Sequence, residues 1–194
     1  MNEKLNGSSF TVNIEDSILD DLLSRVKNSR ILKDFGNKEW KYGTEETYLR
    51  NLVDYWSNQY DWKKQEKEIN KFSHYKIKID DIPIHFIYEK GSGENPKPLI
   101  LTHGWPWTFW DYKKIIEPLT HPENYGGDIS DSFDIIIPSL PGYGFSTPLK
   151  ETGINFWKTS DIWVELMTNI LGYKKFFAHG GDWGAAVTLQ LGHK

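Results

Sequence analysis

No cysteine occurs in the 194 residues, which excludes disulfides and thiol chemistry and accords with a reducing compartment. Long apolar runs are missing as well. No stretch approaches the roughly 20 residues needed to cross a bilayer, and the first ten residues are polar, with no apolar core of signal-peptide length. These features point to a soluble, cytoplasmic chain without a membrane anchor. Nor is there a basic excess. Lys and Arg total 23 against 27 Asp and Glu, for a formal net charge of −4 and a pI near 5.9, which argues against a nucleic-acid partner. The six histidines have no metal-ligand spacing with carboxylates, and no glycine loop followed by Lys could cradle a phosphate. Neither a metal nor a cofactor is expected.

What remains is a chain with 38% hydrophobic and 15% aromatic residues, ample for a packed core. Two regions follow one another, 1–90 and 91–194. In the first, Ile18, Leu19, Leu22, Leu23 and Val26 mark one helical face, with Asp16 or Ser17 as its cap. Tyr48, Leu49, Leu52, Val53 and Trp56 mark another, opened by Thr44. The alternating charges of 63–68 read as a solvated helix surface. These helices are expected to lay their apolar faces on the sheet as one unit with it. From His74 the period changes to two, and Asp80-Asp81 turn a hairpin that closes region 1–90.

In region 91–194 short apolar strands at 99–102, 133–137 and 175–179 alternate with helices expected at 108–119 and 161–171, the latter stopped by Gly172. That alternation predicts a mostly parallel, twisted sheet covered on both faces. Catalytic groups on such a sheet sit at the carboxyl ends of its strands. There, Gly180-Gly181-Asp182-Trp183-Gly184 follows an apolar run and has the frame of a nucleophile elbow. Ser is usual at its centre; here Asp182 stands in its place, and a carboxylate displaces at saturated carbon to leave an alkyl-enzyme ester. His103-Gly104-Trp105-Pro106 follows the strand at 99–102. The backbone N–H groups of Trp105 and Trp183 are therefore the candidate oxyanion donors. They would act when water attacks the ester carbonyl. Alone, either motif is an ordinary glycine-rich turn; their order and placement after buried strands make the pair specific. His103 reads as a brace for its loop, His179 as structural, and His74 and His85, without a partner pattern, as surface or packing residues.

With these residues in hand, the chain resembles the N-terminal half of an epoxide hydrolase of the α/β-hydrolase superfamily. The branch is the one that includes the microsomal and juvenile-hormone enzymes. Trp40-Lys41-Tyr42-Gly43, Tyr55-Trp56, Tyr60-Asp61-Trp62, Gln65-Glu66 and Ile84-His85-Phe86-Ile87 resemble its helical N-terminal region, and 103–106, 138–146 and 180–184 its active-site motifs. The resemblance implies an incomplete α/β-hydrolase fold with a helical N-terminal region packed on it. It also implies that Asp182 is the nucleophile, Trp105 and Trp183 supply the oxyanion amides, and an epoxide and water are the reactants. Trp107-Thr108 departs from the Gly-Ser usual after the His-Gly-Trp-Pro motif. Members of the family continue for about as long again. They carry there the cap tyrosines, the acid and the histidine that activates water. The chain is accordingly expected to be inactive alone, as a fragment, a self-associating chain or one half of a complementing pair. A haloalkane dehalogenase, which also pairs an elbow Asp with Trp, is the alternative enzyme.

Overall fold

The computed structural model describes Leu5 and residues 7–194. Met1, Asn2, Glu3, Lys4 and Asn6, which belong to the polar leading segment, lie outside the described residues. The chain divides into two compact units: Val12–Glu68, and Met1–Thr11 together with Ile69–Lys194.

The Val12–Glu68 unit is helical. Helix α1 spans Asp16–Lys27 and α2 spans Glu46–Asn58. Neither opens on the residue expected from sequence. Glu15 precedes α1 without a side-chain cap, and Glu45, not Thr44, caps α2 by accepting from the Tyr48 amide. The loop between them is tied by a reciprocal pair, in which Asp34 N–H donates to Glu46 at 2.8 Å and Glu46 N–H to Asp34 at 2.7 Å. Leu19, Leu22, Leu23, Leu52 and Trp56 line a groove of about 840 Å³. On helix α3 (Trp62–Ile69) the charged face is not wholly solvated, as the alternating signs suggested. Glu66 is buried, and burial alone would raise its pKa. Hydrogen bonds from the Ile14 amide, Lys63 and Trp62 outweigh burial and hold the carboxyl below its ordinary value.

The other unit is built on a six-stranded sheet in the order β1-β2-β3-β5-β4-β6. Its strands are β1 Ser9–Phe10, β2 His74–Ile79, β3 Ile82–Glu89, β4 Lys97–Thr102, β5 Phe133–Pro138 and β6 Phe177–Gly180. The sheet is mixed rather than mostly parallel. β1–β2, β2–β3 and β3–β5 pair antiparallel, and only β5–β4 and β4–β6 pair parallel. The cause is the hairpin. Asp80 and Asp81 both adopt positive φ, 48° and 62°, the conformation of a tight primed turn, and the returning strand docks against β5 in reverse.

Two helices differ from expectation for local reasons. A single helix over 108–119 would place Pro118 in its interior, where the ring removes a hydrogen bond and clashes with the preceding turn. The chain instead forms a short 3₁₀ helix, Phe109–Tyr112, and restarts as α4, Ile116–Thr120, so that Pro118 falls in a first turn. Helix α5 begins early, at Phe156–Val164, because Asn155 accepts from the Lys158 amide at 3.0 Å. It continues through a π turn, Glu165–Ile170, to Gly172 at φ 82°, which ends the helix as expected. Ile84, Phe86, Ile100, Ile136, Trp163, Met167 and Val187 form the core.

Candidate active site: the elbow and its two loops

Strand β6 turns into helix α6, Trp183–Leu191, through a single strained residue. Asp182 sits at φ 52°, ψ −123°, a conformation that costs a non-glycine residue on the order of 1–3 kcal/mol and clusters at functional sites. Its side chain makes no capping hydrogen bond to α6, so the ordinary reason for an Asp at a helix start does not apply. The flanking glycines are required by contact. A Cβ on Gly180 would lie 2.4 Å from the Gly184 carbonyl oxygen, and one on Gly184 would lie 2.0 Å from the Thr102 oxygen. The elbow is thus pressed directly onto the end of β4.

The loop leaving β4 meets the carboxylate. Trp105 N–H donates to Asp182 Oδ1 at 2.8 Å, and a Cβ on Gly104 would stand 2.5 Å from that same oxygen. The amides of Trp183 and Trp105, in that order, hold the Asp182 carboxyl below its ordinary pKa. Of the two, only Trp105 makes a hydrogen bond of full geometry. The indole rings of Trp105 and Trp183 are exposed. Thr108, at the departure from the usual Gly-Ser, caps the 3₁₀ helix by accepting from the Trp110 amide at 3.2 Å.

His103 is buried, and its two nitrogens have fixed roles. Nδ1 lies 3.1 Å from the Gly104 carbonyl and must donate to it, while Nε2 accepts from the Leu140 amide at 3.1 Å. Burial depresses its pKa, so the ring is a neutral brace between two loops, not a base facing Asp182. The second loop, 138–146, turns at Gly142 and Gly144, φ 84° and 48°. Leu140, Tyr143, Phe156, Trp183 and Val187 help line a cavity of about 310 Å³.

The structure therefore brings Asp182, Trp105 and Trp183 together. His179 stands exposed on β6 rather than inside the fold. A polar cluster went unrecognised in the sequence. His74 and His85 are buried and bonded ring to ring at 2.9 Å. The signal was present in the hairpin register. His85 faces Lys76, and His74, two residues along, lies on the same side of the ribbon. Among the described residues no group of His, Cys, Asp and Glu is arranged to hold a metal, and no helix is long and apolar enough to cross a membrane.

Residues 7–112 match the family model for the epoxide hydrolase N terminus, and 97–194 match that for the alpha/beta hydrolase fold. Epoxide hydrolase 1 of Oryctolagus cuniculus is 40% identical over 186 residues, covering 94% of this chain and 41% of that protein. A putative epoxide hydrolase of Stigmatella aurantiaca (strain DW4/3-1) is 39% identical over 184 residues, covering 95% of the chain and 42% of the relative. The crystal structure of juvenile hormone epoxide hydrolase from the silkworm Bombyx mori superposes with a TM-score of 0.85 at 30% identity, over 96% of this chain and 49% of that one. The chain spans about two fifths of the length of the curated relatives it matches.

Proposed function

The chain belongs to the epoxide hydrolase N-terminus family, joined to the alpha/beta hydrolase fold, and from that premise we propose that it carries the nucleophile half of an enzyme converting an epoxide and water to a vicinal diol. Asp182 Oδ2, the oxygen that Trp105 does not hold, attacks an epoxide carbon. The C–O bond of the three-membered ring breaks, its oxygen takes a proton, and a hydroxyalkyl ester of Asp182 results. Water then adds to the ester carbonyl carbon. Negative charge develops on Oδ1, beside the Trp105 and Trp183 amides, and collapse of the tetrahedral species releases the diol and restores the carboxylate.

One observation carries this reading: a strained, exposed Asp182 whose Oδ1 already accepts the Trp105 amide at 2.8 Å. A depressed pKa keeps the nucleophile ionised at neutral pH. The general base that activates water, and the acid that protonates the opening ring, are proposed to come from outside these residues. They would be supplied by a complementing segment or a self-associated assembly in a reducing, cytoplasmic setting. The flank of β6, where Phe177 is 58% exposed, supports such an association.

The test is covalent labelling. Chain treated with styrene oxide should gain one adduct, mapped by peptide mass spectrometry to Asp182, and Asp182→Ala should gain none there or elsewhere at comparable rate. Equal labelling of the alanine variant discards the nucleophile. Labelling by a primary haloalkane but not by the epoxide would replace epoxide opening with dehalogenation.

A further inference from the structure

The buried histidines of the hairpin form a hydrogen-bonded line with a fixed direction. His74 Nε2 lies 2.9 Å from the Ile69 carbonyl, which can only accept, so that nitrogen carries the proton. In the neutral ring Nδ1 is then an acceptor, and His85 Nε2–H donates to it at 2.9 Å. His85 Nδ1 in turn accepts from Ser139 Oγ–H at 2.9 Å. Ser146 closes the line: its hydroxyl accepts from the His85 amide at 2.9 Å and donates to the Ser139 carbonyl at 2.8 Å. His74, His85, Ser139 and Ser146 are all buried, and Phe10, Phe109 and Phe145 pack around the His85 ring. Both imidazoles are held neutral. Burial is the largest cause in each case and brings His85 down to about 2, with His74 and Lys76 adding to the effect.

Such an arrangement is costly to break, because each member left alone would be a buried polar group without a partner. It ends at Ser139. The next residue, Leu140, donates its amide to His103 Nε2; His103 Nδ1–H donates to the Gly104 carbonyl; and the next amide, Trp105, is the one that holds Asp182. A path of hydrogen bonds and single peptide steps therefore runs from the hairpin to the candidate nucleophile, and the side chains that bond along it before Asp182, those of His74, His85, Ser139 and His103, are all buried. Gly144 fits the same account. A Cβ there would lie 2.8 Å from Ser139 Oγ, so the loop leaves room for the hydroxyl that His85 requires.

We propose that His85, through Ser139 and with His74 behind it, is a positioning residue that sets the place of the Trp105 amide and hence of Asp182 Oδ1. The proposal rests on the reading of Trp105 as an oxyanion donor, but its readout is geometric and does not require Asp182 to react.

The experiment uses the full 194-residue chain, isotopically labelled for NMR. In the wild type, long-range nitrogen–proton spectra should place the ring protons on His74 Nε2, His85 Nε2 and His103 Nδ1. In Ser139→Ala, Trp105 amide exchange should quicken roughly five- to tenfold, the factor expected for loss of one hydrogen bond. The Asp182 carboxyl should titrate closer to its ordinary value, while amides of β4 and β5 keep their protection. Three results would overturn the proposal: a wild-type His85 protonated on Nδ1; a folded Ser139→Ala with Trp105 exchange and Asp182 titration unchanged; or an equal loss of protection throughout the sheet, which would mark a merely structural role. If Ser139→Ala does not fold, the wild-type ring protons alone decide. Failure of Asp182 to take up an epoxide would leave all these readouts intact and would count only against the proposed function.

Discussion

Strand β4 has two very different neighbours. On one side β5 is buried along almost its whole length, and Ile135, Ile136 and Ile137 have no exposed surface. Each such side chain contributes roughly 1.5–3 kcal/mol by leaving water, an upper range because the unfolded chain already buries some of its surface. On the other side β6 alternates between exposed and half-buried positions, and Phe177 and Leu189 of the following helix lie open. The site straddles this divide. Its bracing groups, His103 and the 138–146 loop, belong to the closed flank and have their hydrogen bonds satisfied within it. Its proposed reacting group, Asp182, rises from the open flank. The difference teaches that the groups bracing the proposed nucleophile are built by the closed half of the sheet, whereas its carboxylate lies on the open half, where substrate, water and proton donors are proposed to arrive.

The sharpest way to break that division is to separate the two flanks at their seam. In Gly184→Val the new side chain must invade the Thr102 carbonyl, against which even a Cβ would stand at 2.0 Å. Overpacking of this kind is expected to cost about 3 kcal/mol or more, measured as a lower urea midpoint, with loss of Asp182 labelling. Gly104→Ala disturbs only the meeting point, since its Cβ would collide with Asp182 Oδ1 at 2.5 Å. Stability should change little, but labelling of Asp182 should slow by roughly 10²-fold, the scale of an ångström's misplacement. Unchanged labelling would separate the carboxylate's reactivity from the Trp105 contact.

The closed flank can be tested through pH. His74, His85 and His103 are all held neutral chiefly by burial. Unfolded, each binds a proton near pH 6.5, while the folded protein resists it. Their stabilisation is therefore complete above about pH 6.5 and lost as pH falls toward the folded values. Between pH 6.5 and 5, above the carboxylate range, His85, brought down to about 2, should remove about 1 kcal/mol per pH unit, with His74 and His103 acting in the same direction. Urea midpoints should drop over that window, and a flat profile would contradict the neutral assignments. The smallest effect is expected at the open edge. Phe177→Lys should alter stability by less than about 0.5 kcal/mol yet reduce self-association in sedimentation, because a charge on an edge strand discourages pairing.

Much of the site was legible in the sequence, because the elbow depends on local chemistry. Two glycines are needed where the strand is pressed onto β4, a third lets the neighbouring loop approach, and the candidate nucleophile Asp182 sits between them. The strands at 99–102 and 133–137 were legible for the same reason, as short apolar runs bounded by turns. Strand β6 began two residues later than its apolar run suggested, because its register with β4 starts at Phe177 opposite Leu99. The β2–β3 hairpin was legible from its Asp80-Asp81 turn, but the antiparallel docking of β3 on β5 was not, since nothing local in Ile82–Glu89 specifies which further strand it will pair with. The His74–His85 contact depends on pairing register, and the buried Glu66 depends on Ile14, distant in sequence. The Pro118 break and the Asn155 cap were visible in principle and required only that the turn chemistry be weighed above the apolar pattern.

The most direct test of the division is a time course of the styrene oxide reaction on the isolated 194 residues, following intact mass and diol release together. A completed nucleophile without a water-activating base predicts up to one ester per chain, on Asp182, that persists while diol stays below one equivalent. Steady release of many equivalents of diol, abolished by Asp182→Ala, would show that these residues also contain the base and would contradict the account.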